Sequence, residues 1–303
     1  PWSFVLGEED VSGNVPPDKM RTFGSDWRAR GIESNQPYWS LNPVAGVHLI
    51  GLDTSVPNNN GGEISAAQLA WLKEDLAQNK GKLTIVFAHH PLLPPPPYDG
   101  APPWSDYTAA TGADVREIIG ANPDVKLVVS GHLNANKVQI ERDIWHVSCA
   151  GLNIYPCQYK LFRASPSGIV MQSLPVNFPA LVKKARKALV SSNLAYKYNS
   201  RNPESFVQLC EGSNEDQNTM LSLSGNKTRQ PLSKKDKQSV ENTGAKAKRR
   251  PSKEAKGKGT AERKSNDSKS KKSSRGKKRE SDAENQPAEA NPNPADNNSS
   301  VDK

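Results

Sequence analysis

The run Leu83–Ala88 (LTIVFA) is apolar, rich in β-branched residues, and ends on His89, His90 and Pro91. Gly81 precedes it and a proline-rich stretch, 91–103, follows. Such a run reads as a buried strand. A second run of the same kind, Lys126–Ser130 (KLVVS), ends in Gly131-His132-Leu133-Asn134. In open α/β sheets ligands bind beyond the C-terminal ends of the strands. Two buried strands that each deliver histidine there define one shared site.

The segments leading into these strands are helical. Ser65 is a good N-cap for a helix over 66–78, with Gln68 placed to complete a capping box. Leu69, Leu72 and Leu76 recur at helical spacing, with Trp71 beside them as a further core residue. A second helix is predicted over 111–119. Upstream, Trp2–Leu6 reads as a short strand entering Gly7-Glu8-Glu9-Asp10, and 38–41 and 47–53 read as neighbouring strands around Gly46. So abrupt an opening leads us to expect that earlier strands of the domain are missing from this chain. The proline-rich stretch, with Tyr98, Trp104 and Tyr107 nearby, reads as a stiff rim of the site.

Downstream, strands at 137–141, 144–148, 158–163 and 168–172 should continue the core in antiparallel fashion. An amphipathic helix is expected over 179–194, with Lys183, Lys184, Arg186 and Lys187 on its polar face. Residues 195–222 then form a small cap anchored by Phe206, Val207 and Leu209. His48, His146 and the cysteines read as structural, and Asp53 as support for a strand end.

The composition divides the chain. Residues 227–303 carry 22 Lys+Arg against 11 Asp+Glu, whereas the rest carries 19 against 21. The basicity therefore belongs to a tail, while the remainder is near neutral. From about Gly225 aromatics vanish, and only 34% of the whole chain is hydrophobic. A tail of this kind buries too little apolar surface to offset its ordering entropy and is expected to be disordered. Its basic block, 246–279, suits nucleic acid or another polyanion by charge alone. Three cysteines are too few and too odd for a disulfide framework, and reduced thiols favour a cytoplasmic setting. The sequence shows no apolar run long enough for a transmembrane helix and no signal peptide; the chain opens without Met, which leaves export open.

The strings FVLGEEDVSGN, FGSDW, YWSL, GVHLIGLDTS, ISAAQLAWLKEDL, TIVFAHHPL and VVSGHLN, in that order, resemble the calcineurin-like metallophosphoesterases. The likeness is to the branch with class III cyclic nucleotide phosphodiesterases and purple acid phosphatases, over roughly residues 1–175. It implies an α/β/β/α four-layer sandwich over 1–177, a helical capping segment over 178–222 and a disordered tail over 223–303. It also implies hydrolysis of a phosphomonoester or phosphodiester by hydroxide generated at two metal ions, Mn, Fe or Zn. On the family's motifs, His89 and His132 fall at metal-ligand positions, and His90 falls at the rim as a substrate contact. Glu8 stands where the family has a ligating Asn, and Glu9 where it has the phosphate-contacting His. Asn134 replaces the second histidine of Gly-His-x-His. The family's first two motifs have no counterpart in this sequence. These replacements raise a second reading: a degenerate phosphoesterase fold that binds or scaffolds, with the tail holding a polyanion.

Overall fold

The computed structural model describes residues 3–14, 18–19, 24–25, 28, 34–96, 107–223 and 229–232. All of these lie in one compact unit. The fold is mixed α/β. A six-stranded sheet contains β1 (Trp39–Val44), β2 (Val47–Leu52), β3 (Leu83–Ala88), β4 (Val125–Ser130), β5 (Lys137–Glu141) and β6 (Ile144–Ser148), in the order β1-β2-β3-β4-β6-β5. Strands β2, β3, β4 and β6 run parallel, while β1 and β5 are antiparallel edges. Helix α1 (Ala66–Gln78) joins β2 to β3, and α2 (Gly112–Gly120) joins β3 to β4. The parallel pairing brings the ends of β3 and β4 side by side, with Ala88 opposite Ser130.

Both faces of β3 are covered, which explains its unbroken apolar run. Val86 and Ala88 face α1 and α2 and pack with Leu72, Leu76, Val115 and Ile119. Ile85 and Phe87 face the other way, onto a second sheet. That sheet has the order β10-β9-β8-β7, from β7 (Gln158–Ser165), β8 (Gly168–Pro175), β9 (Asn218–Ser222) and β10 (Arg229–Gln230). Ile169, Met171 and Leu221 meet Leu127, Val138, Trp145 and Val147 across the inter-sheet core. The two sheets thus pack face to face, with α1 and α2 on the outer side of the first. Helices α3 (Pro179–Val190), α4 (Asn193–Tyr198), α5 (Glu204–Glu211) and α6 (Asn214–Gln217) follow β8. Ala195, Phe206 and Cys210 from this group pack against Leu133 and Ala135, in the turn after β4.

Several expectations are revised. Residues 3–7 form no strand; they are held by the Trp39 indole, which donates to the Phe4 carbonyl, and by Leu6 packing on Trp39. Ser65 caps α1 as predicted, but Gln68 does not close the box, because its amide spans both backbone groups of Asp53. Strand β6 pairs parallel to β4, and β7 and β8 leave for the second sheet. The helix expected over 179–194 ends at Val190, where Ser192 caps a new helix by accepting from the Ala195 amide. The last residues of the expected cap are a strand, since Thr219 and Leu221 alternate into the core in register with β8. Arg229 and Gln230 pair with β9, beyond the boundary expected at 222. The rest of the tail, including 246–279, and the rim segment 97–106 lie outside the described residues.

His48 is structural, as read. Its Nε2 lies 2.6 Å from Asp75 Oδ2 and its Nδ1 3.0 Å from Asn42 Oδ1, while Ser40 donates to the same carboxylate. This network ties β1, β2 and α1 together. The three cysteines are free thiols. No described helix is long and apolar enough to cross a membrane.

Two outcomes are expected for the core. Leu221→Ala should destabilise the fold by about 2–5 kcal/mol in urea unfolding, as for a buried leucine; a cost below about 1 kcal/mol would return β9 to a peripheral cap. Burial, aided by the Arg116 charge, pushes His146 down to about 4 from its ordinary 6.5. The unfolded chain therefore takes up that proton first. Stability should be unaffected by this group above pH 6.5 and fall as pH drops from 6.5 toward 4. His146→Leu should flatten that part of the profile, measured as urea midpoints at neutral and mildly acidic pH.

Candidate metal centre

Three imidazoles and one carboxylate converge where β3 and β4 end. Glu8, His89, His90 and His132 each place a donor atom within 4.8 Å of the others'. Glu8 Oε2 lies 2.6 Å from His89 Nε2, and Glu8 Oε1 3.1 Å from His132 Nδ1. His89 Nε2 is 3.2 Å from His132 Nδ1.

Each side chain is placed by local structure. Glu8 sits on the 3₁₀ turn Glu8–Asp10, which Asp10 closes by accepting from the Gly7 amide. A Cβ at Gly7 would stand 2.8 Å from the His89 ring, so only glycine allows this approach. His132 and Asn134 both have left-handed backbone, at φ 62° and 52°. That conformation is uncommon outside glycine, and strained residues of this kind gather at functional sites. It turns the chain sharply enough to point the His132 ring back at Glu8. Tyr107 covers the outer side of this ring, with centroids 5.4 Å apart.

Electrostatics favour an ionised Glu8. Burial acts to raise its pKa, but the attraction of His132 and His89 outweighs it and holds the carboxyl well below the ordinary carboxylate range. Even so, His132 Nε2 is buried without a hydrogen-bond partner. Buried polar atoms are normally satisfied, and exceptions point to an ion, a water or a catalytic role. Two imidazoles with one carboxylate form a donor set suited to Zn²⁺ and related divalent ions. The residues present therefore fit a divalent metal.

His90 was placed at the rim, but its ring is wholly buried. Its Nε2 faces the Asn60 carbonyl at 3.1 Å, and its Nδ1 lies 2.8 Å from Thr54 Oγ1. A carbonyl only accepts, so Nε2 carries the proton and Nδ1 accepts from the Thr54 hydroxyl. Desolvation, then the charges of His132 and His89, push His90 down to about 3, which keeps it neutral. Its ring packs on His132 with centroids 4.4 Å apart. The sequence reading missed Thr54, and it missed Gly62, where a Cβ would stand 2.6 Å from the His90 ring. Nothing in their spacing announced either role.

Of the other sequence-derived positions, Glu9 is exposed on the same turn, next to Glu8. Asn134 directs its amide nitrogen to the His132 carbonyl, 3.0 Å away. Asp53 accepts from Lys19 and Ser55, consistent with support of the strand end.

The chain is similar to known phosphodiesterases over part of its length. No family model matches the chain. A cAMP/cGMP dual specificity phosphodiesterase of Mycobacterium tuberculosis is 36% identical over 115 residues, covering 35% of this chain and 33% of the relative. A probable cyclic nucleotide phosphodiesterase of Rhodococcus erythropolis is 39% identical over 61 residues, 20% of each chain. The matches thus span about a third and a fifth of these curated relatives. A dimetal phosphatase from Danio rerio superposes with a TM-score of 0.43 at 14% identity, over 56% of this chain and 68% of its own. Both sequence relatives carry names of cyclic nucleotide phosphodiesterases.

Thr54→Val keeps the shape but removes the hydroxyl that satisfies His90. It should cost about 1–3 kcal/mol of stability in urea unfolding, as for a buried acceptor left unpaired. A change below about 0.5 kcal/mol would contradict the assigned hydrogen bond.

Proposed function

We propose that this chain is a metal-dependent phosphoesterase that hydrolyses phosphomonoester or phosphodiester bonds beside Glu8, His89 and His132. The observation that carries the reading is the convergence of the half-buried Glu8 carboxylate with two imidazoles at adjacent strand ends, where His132 Nε2 is buried without a hydrogen-bond partner. The names of the two sequence relatives favour a phosphodiester.

A divalent ion bound there would polarise a phosphoryl oxygen and lower the pKa of a water toward 7. The chain's own residues set the conditions. Glu8 supplies the negative charge that retains a cation. His89 and His132 supply nitrogen donors fixed by Gly7 and by the left-handed turn. His90, locked by Thr54 and Asn60, fills the space behind them and keeps the cluster rigid. Glu9 lies one residue from Glu8, where an ionised carboxylate repels an incoming phosphate; Glu9→His should therefore strengthen phosphate binding.

We propose further that residues 1–177, with β9 and β10, form the phosphoesterase unit, that helices α3–α6 are its cap, and that 246–279 binds a polyanion by charge. The scaffold reading draws on that same block and gains nothing from the cluster.

The test is manganese-dependent hydrolysis of a generic aryl phosphodiester by the intact chain, with His89→Ala alongside. Turnover should fall at least about 100-fold in the variant, since second-shell changes alone cost 10–100-fold. Equal turnover in both proteins, or none in either, would contradict the proposal.

A further inference from the structure

We infer that helix α3 and the segment entering it form a docking surface for an anionic lipid membrane. Its lysines meet the headgroups, and its exposed apolar side chains enter the boundary with the acyl chains.

The distribution of charge is the first argument. Residues 144–203, sixty positions in a row, hold eight Lys+Arg and no Asp or Glu. Four of the eight are Lys183, Lys184, Arg186 and Lys187 on α3. Arg186 is engaged by Glu204. Lys183, Lys184 and Lys187 stand three and four residues apart, so they share one face, and all three are exposed. Among the described residues no carboxylate forms an ion pair with them. Like charges at this spacing repel along a helix, and an anionic surface relieves that repulsion.

The seating of α3 is the second argument. None of its residues is fully buried. Val182, Ala185 and Leu189 are half-buried, and Leu189 packs on the cluster of Ala195, Phe206 and Cys210. The helical period puts the lysines on the opposite face. Apolar groups are left to water at the start of the helix: Phe178 is 68% exposed, and Leu181 is exposed as well. Single exposed apolar residues are ordinary. These two border a groove of about 460 Å³ lined by Pro175, Val176, Pro179 and Val182, to which Lys183 adds its charge. An apolar slot beside an ammonium group suits an amphiphile with an anionic head.

The choice of occupant is the third argument. A nucleic acid would also suit the lysines. A groove walled by proline and valine, however, offers base edges little to bond with, and the arginine that could fork a phosphate is held by Glu204. A second copy of this chain would set the same lysines against each other. Lysine contacts to headgroups together with apolar insertion are the pattern of an interfacial helix.

The experiment is cosedimentation of the intact chain with phosphatidylcholine vesicles, with and without phosphatidylserine, at physiological salt. Binding should require phosphatidylserine. Each lysine near an anionic leaflet strengthens binding about fivefold, so Lys183→Ala, Lys184→Ala and Lys187→Ala together should weaken it about 100-fold. Phe178→Ser with Leu181→Ser should weaken it at least about tenfold. This second variant separates the α3 surface from the tail, because 246–279 contains no aromatic residue and no Val, Ile, Leu or Met, and would bind by charge alone. All five positions are exposed, and circular dichroism checks the fold; a variant that misfolds is replaced by the corresponding single substitutions. No binding to the phosphatidylserine vesicles, equal binding without that lipid, or either variant binding as the parent does would overturn the inference. So would tighter, lysine-dependent binding to a double-stranded DNA or RNA fragment at the same salt.

Discussion

Holding an ionised carboxylate among imidazoles, largely out of water, is the constraint on which the rest of this structure depends. Removing a charge from water costs several kcal/mol unless close partners compensate. Glu8 has such partners in His89 and His132, one facing each of its oxygens. The surrounding features make this arrangement possible. Gly7 leaves room for the His89 ring, Gly62 leaves room for His90, and the left-handed backbone at His132 turns its ring inward. Each of these carries a steric or conformational cost that a purely structural turn would not need.

The core supplies the rigidity. Strands β3 and β4 are fixed from both faces, by α1 and α2 on one side and by the second sheet on the other. Their parallel pairing sets Ala88 opposite Ser130, so His89 and the turn bearing His132 emerge together. The helices after β8 pack on Leu133 and Ala135, in the turn that carries His132. The C-terminal helices thus brace the strained turn, which links a surface segment to the geometry of the site.

Much of this was legible in the sequence, for physical reasons. The β3 and β4 runs are continuous and apolar because both faces are buried, and α1 announces itself through Ser65 and its leucine spacing. The convergence of His89, His132 and Glu8 follows from strand ends and a family resemblance. Other features were not legible. Residues 3–7 look like a strand by composition, but pairing is a tertiary property, and Trp39 holds them instead. Thr219 and Leu221 alternate over only five residues, too few to separate a strand from a loop without seeing β8 beside them. The burial of His90 depends on Thr54, 36 positions away, and no local pattern encodes that contact.

The central claim is that Glu8, His89 and His132 form one metal centre. The most direct measurement is an anomalous-difference map from crystals of the chain grown with Mn²⁺. The account predicts a strong peak within bonding distance of a Glu8 carboxylate oxygen, His89 Nε2 and a His132 ring nitrogen. No peak there, or a peak only elsewhere with Glu8 still bonded to the two imidazoles, would contradict it.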